Sequence, residues 1–88
     1  MVSQTVQVLN KIGLHARPAS MLVNTAGKYE SDITVIKGDR TATAKSIINL
    51  LALRIKQNDS ITIRADGGDE SEAVDALVEL VNSKFGEE

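Results

Sequence analysis

Ser60-Ile61-Thr62-Ile63-Arg64-Ala65-Asp66-Gly67-Gly68-Asp69-Glu70-Ser71-Glu72-Ala73 changes its period in the middle. Before Gly67, Ile61 and Ile63 alternate with Thr62 and Arg64, the pattern of a strand with one buried face. Gly67-Gly68 breaks that strand. Asp69 then caps a helix, with Glu72 three residues on as the reciprocal partner of a capping box. Ala73, Ala76, Leu77, Leu80 and Val81 form the buried stripe of that helix.

The same two periods recur upstream. Residues 2–9 alternate Val6 and Val8 with Thr5 and Gln7 and read as a strand. Residues 10–14 contain Gly13 and read as a loop. Residues 16–28 carry a helical stripe of Ala16, Ala19, Leu22, Val23 and Ala26. Pro18 is tolerated there, because an N–H so near the helix start would have no intrahelical partner. Gly27 and Lys28 end the helix. Residues 31–37 read as a second strand with Ile33 and Val35 on one face. Gly38-Asp39 turns tightly into a short third strand, residues 40–43. Residues 46–55 read as a short helix, and Gln57-Asn58-Asp59 as a turn into the strand at Ser60. The order is β-α-β-β-α-β-α. Four strands with one apolar face and three amphipathic helices predict an α+β two-layer sandwich, its sheet covered on a single face. These patterns alone leave the strand order open.

Composition narrows the function classes. Eighty-eight residues suit a single domain spanning residues 1–88. There is no cysteine, so disulfide and thiolate chemistry are excluded. No apolar run is long enough for a membrane-spanning helix, and Met1-Val2-Ser3-Gln4-Thr5 has no signal-peptide character. A cytoplasmic domain is therefore expected. The net charge of −2 hides an asymmetry. Residues 1–56 hold eight Lys/Arg against three Asp/Glu, and residues 57–88 hold two against nine. A cationic half favours phosphate or an acidic protein partner. Tyr29 and Phe85 are the only aromatics, too few to stack nucleic-acid bases.

The one histidine lies in Gly13-Leu14-His15-Ala16-Arg17-Pro18-Ala19, where a helix begins. A helix start offers N–H donors and a positive dipole end. Arg17 adds a guanidinium suited to phosphate oxygens. A neutral imidazole is nucleophilic. His15 at or near the N-cap, with the amides of Ala16 and Arg17 below it, is thus a candidate phosphoryl acceptor. One histidine without cysteine does not assemble a metal site, and no cofactor is expected. No Gly-rich phosphate loop or nucleophile elbow is present. Ser46, in Lys45-Ser46-Ile47, is a natural N-cap for the second helix and a second candidate phosphorylation site. That helix is more apolar than one buried stripe requires. Ile47, Ile48 and Leu51 are predicted to be exposed as a docking patch. Asp59-Ser60-Ile61 superficially matches the attachment serine of acyl carrier proteins, but those are helical bundles and Ser60 opens a strand.

On these residues the chain resembles HPr, the histidine-containing phosphocarrier family of the bacterial sugar phosphotransferase system. Gly13-Leu14-His15-Ala16-Arg17-Pro18-Ala19 matches the family's active-site signature residue for residue, and Lys45-Ser46-Ile47 its regulatory serine motif. The resemblance implies an open-faced sandwich with an antiparallel sheet of order 1-4-2-3. It implies that His15 accepts a phosphoryl group on Nδ1 from enzyme I, assisted by Arg17, and passes it to an enzyme IIA. Such a protein is a covalent carrier without turnover of its own, and a monomer is expected. Ser46 resembles the Firmicutes-type form, modified by HPr kinase/phosphorylase and then bound by a catabolite control repressor. Many relatives read Ser-Ile-Met-Gly from the serine onward. This chain has Ile48, Asn49, Leu51 and Arg54 on that helix instead, so its docking face is stiffer than a methionine-rich one. The related alternatives are a corepressor-only paralogue, which lacks the active histidine, and a nitrogen-branch carrier, which keeps it and serves other partners.

Overall fold

The computed structural model describes residues 1–86. Strand β1 is Val2–Gln7, helix α1 Ala16–Ala26, β2 Asp32–Lys37, β3 Arg40–Thr43, α2 Ile47–Ala52, β4 Ser60–Asp66 and α3 Glu70–Asn82, followed by a 3-10 turn at Lys84–Gly86. All pairings are antiparallel, and the strand order is β1-β4-β2-β3. The expected element order and the 1-4-2-3 order are both observed.

Strand alternation sets the two faces. Val6, Ile33, Val35, Ala42, Ile61, Ile63 and Ala65 point into the core. Leu22 and Ala26 of α1, Leu50 of α2, and Val74, Leu77 and Val81 of α3 meet them there. Ser3, Thr5, Thr41, Thr43 and Ser60 lie exposed on the strands' other side. Across it, Thr5 and Thr62 share a hydroxyl hydrogen bond of 2.8 Å. The β2–β3 hairpin closes through Gly38 at φ +61°, with Lys37 opposite Arg40.

Three local expectations need correction. The strand at residues 2–9 stops at Gln7, although Val8 stays fully buried and pairs with the loop at Asn58 and Asp59. The helix at residues 46–55 stops at Ala52. Arg54 adopts φ +54°, and the Lys37 ammonium takes up the carbonyls of Leu53 and Arg54 at 3.3 and 2.8 Å. Strand side chains thereby occupy the carbonyls at this end, Lys37 those just beyond the helix and the Arg40 guanidinium that of Ala52 at 2.9 Å. The capping box at Asp69 is absent. Asp69 occupies the N-cap position, but its carboxylate accepts from the N–H groups of Glu30 and Ser31 and from the Ser31 hydroxyl. Glu70 takes the Gly67 N–H at 3.1 Å instead of Glu72 closing a box. Gly67 at φ +156° lets this turn press onto Ser31, where a Cβ would come within 2.8 Å of the Ser31 backbone.

Candidate functional site

The site begins with a loop that cannot move freely. Gly13 sits at φ +75°, and its N–H donates to the Asn10 carbonyl at 3.0 Å. Buried Asn10 returns a side-chain hydrogen bond to the Gly13 carbonyl. Leu14 is buried, and its N–H donates to the Ile55 carbonyl at 3.0 Å. The loop before α1 is thus fixed to the segment that follows α2.

His15 comes next and is the N-cap of α1, with extended backbone at φ −91° and ψ −166°. His15 is partly buried; its carbonyl accepts the Ala19 N–H at 3.0 Å, and its side chain is not used to cap the helix. Ala16 and Arg17 are the first two helical residues, and their N–H groups have no intrahelical acceptor. Pro18 follows with no N–H at all. Those two amides belong to the helix's positive end, one and two residues after His15. Arg17 is exposed, and its side chain enters no ion pair among the described residues.

The electrostatics of this end favour an anion. Residues 1–29 and 40–58 contain no Asp or Glu, while Lys11, Arg17, Lys28, Arg40, Lys45, Arg54 and Lys56 lie within them. Asp59, the first carboxylate after that second stretch, pairs with Lys37 at 3.1 Å. The Lys56 N–H and the Lys37 ammonium hold the Asp59 carboxyl below the usual carboxylate range. Hydrogen bonds from Ser31 and Glu30 lower Asp69 in the same way.

Ser46 caps α2, its Oγ accepting the Asn49 N–H at 3.3 Å. The helix is short, and α1 packs against it. Of its apolar residues, Leu50 is buried, whereas Ile47, Ile48 and Leu51 are 38%, 79% and 37% exposed. The sequence reading of their exposure holds. It missed Ile12, 70% exposed in the His15 loop, and Leu9 just before it. An isoleucine set between Lys11 and Gly13, outside any strand or helix period, was the available signal. A groove of about 560 Å³ opens between β3 and α2, lined by residues such as Arg40, Thr43, Lys45 and Asn49, none of them from the His15 loop. No His/Cys/Asp/Glu group among the described residues is arranged to hold a metal. No helix there is long and apolar enough to cross a membrane.

Comparison with known proteins gives a consistent result. The family model described as the PTS HPr component phosphorylation site matches residues 2–83. Phosphocarrier protein HPr of Neisseria meningitidis is 39% identical over 87 residues, which cover 99% of this chain and 98% of the relative. The crystal structure of HPr-C-His from Thermoanaerobacter tengcongensis superposes with a TM-score of 0.96 at 46% identity, covering 100% and 99% of the two chains. Crh, a Bacillus subtilis catabolite repression protein seen as a swapped-domain dimer, superposes at 0.77 with 38% identity, covering 96% and 97%. The chain belongs to the HPr family of phosphocarrier components of the phosphotransferase system.

Proposed function

We propose that His15 accepts a phosphoryl group from phosphorylated enzyme I and passes it to a sugar-specific enzyme IIA. The observation that carries this reading is the placement of His15 at the N-cap of an eleven-residue helix, immediately before the first-turn residues Ala16 and Arg17, whose amides have no intrahelical acceptor. The imidazole Nδ1 lone pair forms a bond to phosphorus as the bond from phosphorus to the donor's histidine breaks. The donor imidazole leaves with the electron pair, and the reverse exchange later unloads His15. The helix end and the Arg17 guanidinium hold the phosphoryl oxygens meanwhile. Each cycle returns the protein to its starting state only through a partner, so it acts as a single-domain cytoplasmic carrier and not as an enzyme.

Ser46 is the proposed regulatory site, modified by HPr kinase/phosphorylase and read by a catabolite control repressor. Ile47, Ile48 and Leu51 are the proposed contact surface for these partners. A phosphate at the start of α2 meets favourable N–H groups, so it changes surface charge without melting the helix. Added negative charge beside a cationic docking face opposes an acidic donor protein.

The test is intact-mass spectrometry after incubation with enzyme I and phosphoenolpyruvate, followed by brief acid. One acid-labile phosphoryl group is expected on the protein and none on His15→Ala, whose circular dichroism should match the parent. Retained phosphorylation in His15→Ala would overturn the assignment.

A further inference from the structure

Arg54 stands in a backbone conformation that ordinarily belongs to glycine. Its φ of +54° lies in the left-handed region, where a Cβ crowds the neighbouring carbonyl. The conformation is imposed from both sides. The Arg54 N–H donates to the Leu51 carbonyl at 3.1 Å, and its own carbonyl accepts from the Lys37 ammonium at 2.8 Å. Leu53 and Ile55, its two neighbours, are buried. A glycine would satisfy every one of these backbone constraints without strain. The arginine side chain returns nothing to the fold. It is exposed and makes no ion pair or hydrogen bond among the described residues. Strain with no internal compensation is a pointer to a role outside the chain.

Its position says which role. Ile55 accepts the Leu14 N–H, so Arg54 and His15 each lie one Cα step, about 3.8 Å, beyond that hydrogen bond. Gly13 is pressed so closely onto this segment that a Cβ would lie 2.7 Å from the Lys56 Cα. The two strips of chain form one rigid rim, and neither strip carries a carboxylate. Arg54 is therefore a cation held at fixed backbone geometry on the same rim as His15, with no ion-pair partner among the described residues.

We propose that Arg54 is a specificity-determining contact, pairing with a carboxylate on the acidic surface of the protein that exchanges the phosphoryl group with His15. The inference rests on the phosphocarrier reading above. A guanidinium on a pinned backbone offers a directed, two-pronged pairing that a flexible surface lysine does not. Rim charges of this kind act on encounter and complex formation more than on chemistry.

The experiment compares the parent, Arg54→Gly and Arg54→Lys as substrates of phosphorylated enzyme I at low and high salt. Arg54→Gly should raise KM about three- to fivefold with kcat little changed, the size of one exposed ion pair. That difference should vanish in 0.5 M or so of sodium chloride, where the screening length falls to about 4 Å. Arg54→Lys should recover part of the loss. Arg54→Gly should also melt at a higher temperature than the parent, which separates a contact role from a packing role. A parent that is phosphorylated while Arg54→Gly keeps the same KM overturns this proposal and leaves the carrier reading standing. A loss in kcat alone also overturns it, because it would place the guanidinium on the phosphoryl group. A parent that accepts no phosphoryl group overturns both.

Discussion

Gly13→Ala is the substitution that most directly probes how the site is built. Two costs are legible at that position. Gly13 holds φ +75°, and an L-residue in that region costs roughly 1–2 kcal/mol. A Cβ there would also lie 2.5 Å from the Ile55 carbonyl oxygen and 2.7 Å from the Lys56 Cα. Both are backbone atoms, so no side-chain rotation relieves the clash. The loop must instead draw back from residues 55–56, which pulls the Leu14 N–H off the Ile55 carbonyl. Leu14 is 5% exposed, and a buried N–H left without an acceptor costs about 1–3 kcal/mol. The total is on the order of 2–5 kcal/mol, a large share of the roughly 5–15 kcal/mol that holds a small domain together.

Gly38 supplies the internal control. It sits at φ +61° in the β2–β3 turn, with nothing within 4 Å of an added Cβ. Gly38→Ala therefore incurs the conformational cost alone, about 1–2 kcal/mol. In a domain of this size each kcal/mol lowers Tm by about 4–8 °C. The additional 1–3 kcal/mol or so should thus make Gly13→Ala melt below Gly38→Ala, by about 10 °C at the middle of that range. Urea unfolding should show a shifted midpoint with an unchanged slope in both. Equal destabilisation of the two variants would refute the claim that the His15 loop is braced against residues 55–56.

Two further expectations concern charge. Asp59, Asp69 and Glu70 are all held below the usual carboxylate range by hydrogen bonds, from Lys56, Ser31 and Gly67 respectively as the largest cause. Depressed folded-state values give stability that is full above the unfolded pKa of about 4 and lost as pH falls through the folded values. Asp69→Asn should weaken the parent at neutral pH and flatten that acid limb, as followed by thermal melts from about pH 6 to pH 2; an acid limb as steep as the parent's would remove Asp69 from the account. Ser46→Asp should slow phosphoryl acceptance from enzyme I severalfold while leaving the circular dichroism of α2 intact, and an unchanged rate would discard the electrostatic view of regulation.

The sequence disclosed whatever depended on period and on single-residue chemistry. Alternation at Ile61–Ile63 and Ile33–Val35 gave the layers directly, because burial follows that period; in α3 the reading found Ala73, Leu77 and Val81, but Val74 and Val78 are buried where Ala76 and Leu80 were expected and are only partly so. The N-cap placements of His15 and Ser46 were legible for the same local reason. The sheet order came from family resemblance, since alternation records which face is buried and not which strand is the neighbour. The other misread details are contacts between distant segments. Asp69 looked like a cap for α3 because Glu72 stood three residues on, yet Ser31, 38 residues away, offered it three donors with Glu30. The helix from Ser46 looked able to reach Ile55 because the apolar run from Ile47 to Ile55 holds no Gly or Pro to stop it. Lys37, on a strand, ends it instead. No local pattern encodes either meeting.

These long-range contacts also explain why fold and recognition can be altered separately at this end of the molecule. The braces of the His15 rim are made almost wholly to backbone atoms: Asn10 to the Gly13 carbonyl, Leu14 to the Ile55 carbonyl, Lys37 to the carbonyls of Leu53 and Arg54. The side chains of Arg17, Ile48 and Arg54 project from that frame with little part in holding it. A change at those positions therefore alters what a partner meets and leaves the frame standing. A change at Gly13 or Lys37 disturbs the frame and every side chain it carries. On this division Arg54→Gly gains stability while losing partner affinity, and Gly13→Ala loses both. The opposite signs for two residues on the same rim follow from whether a side chain faces the partner or a backbone holds the rim.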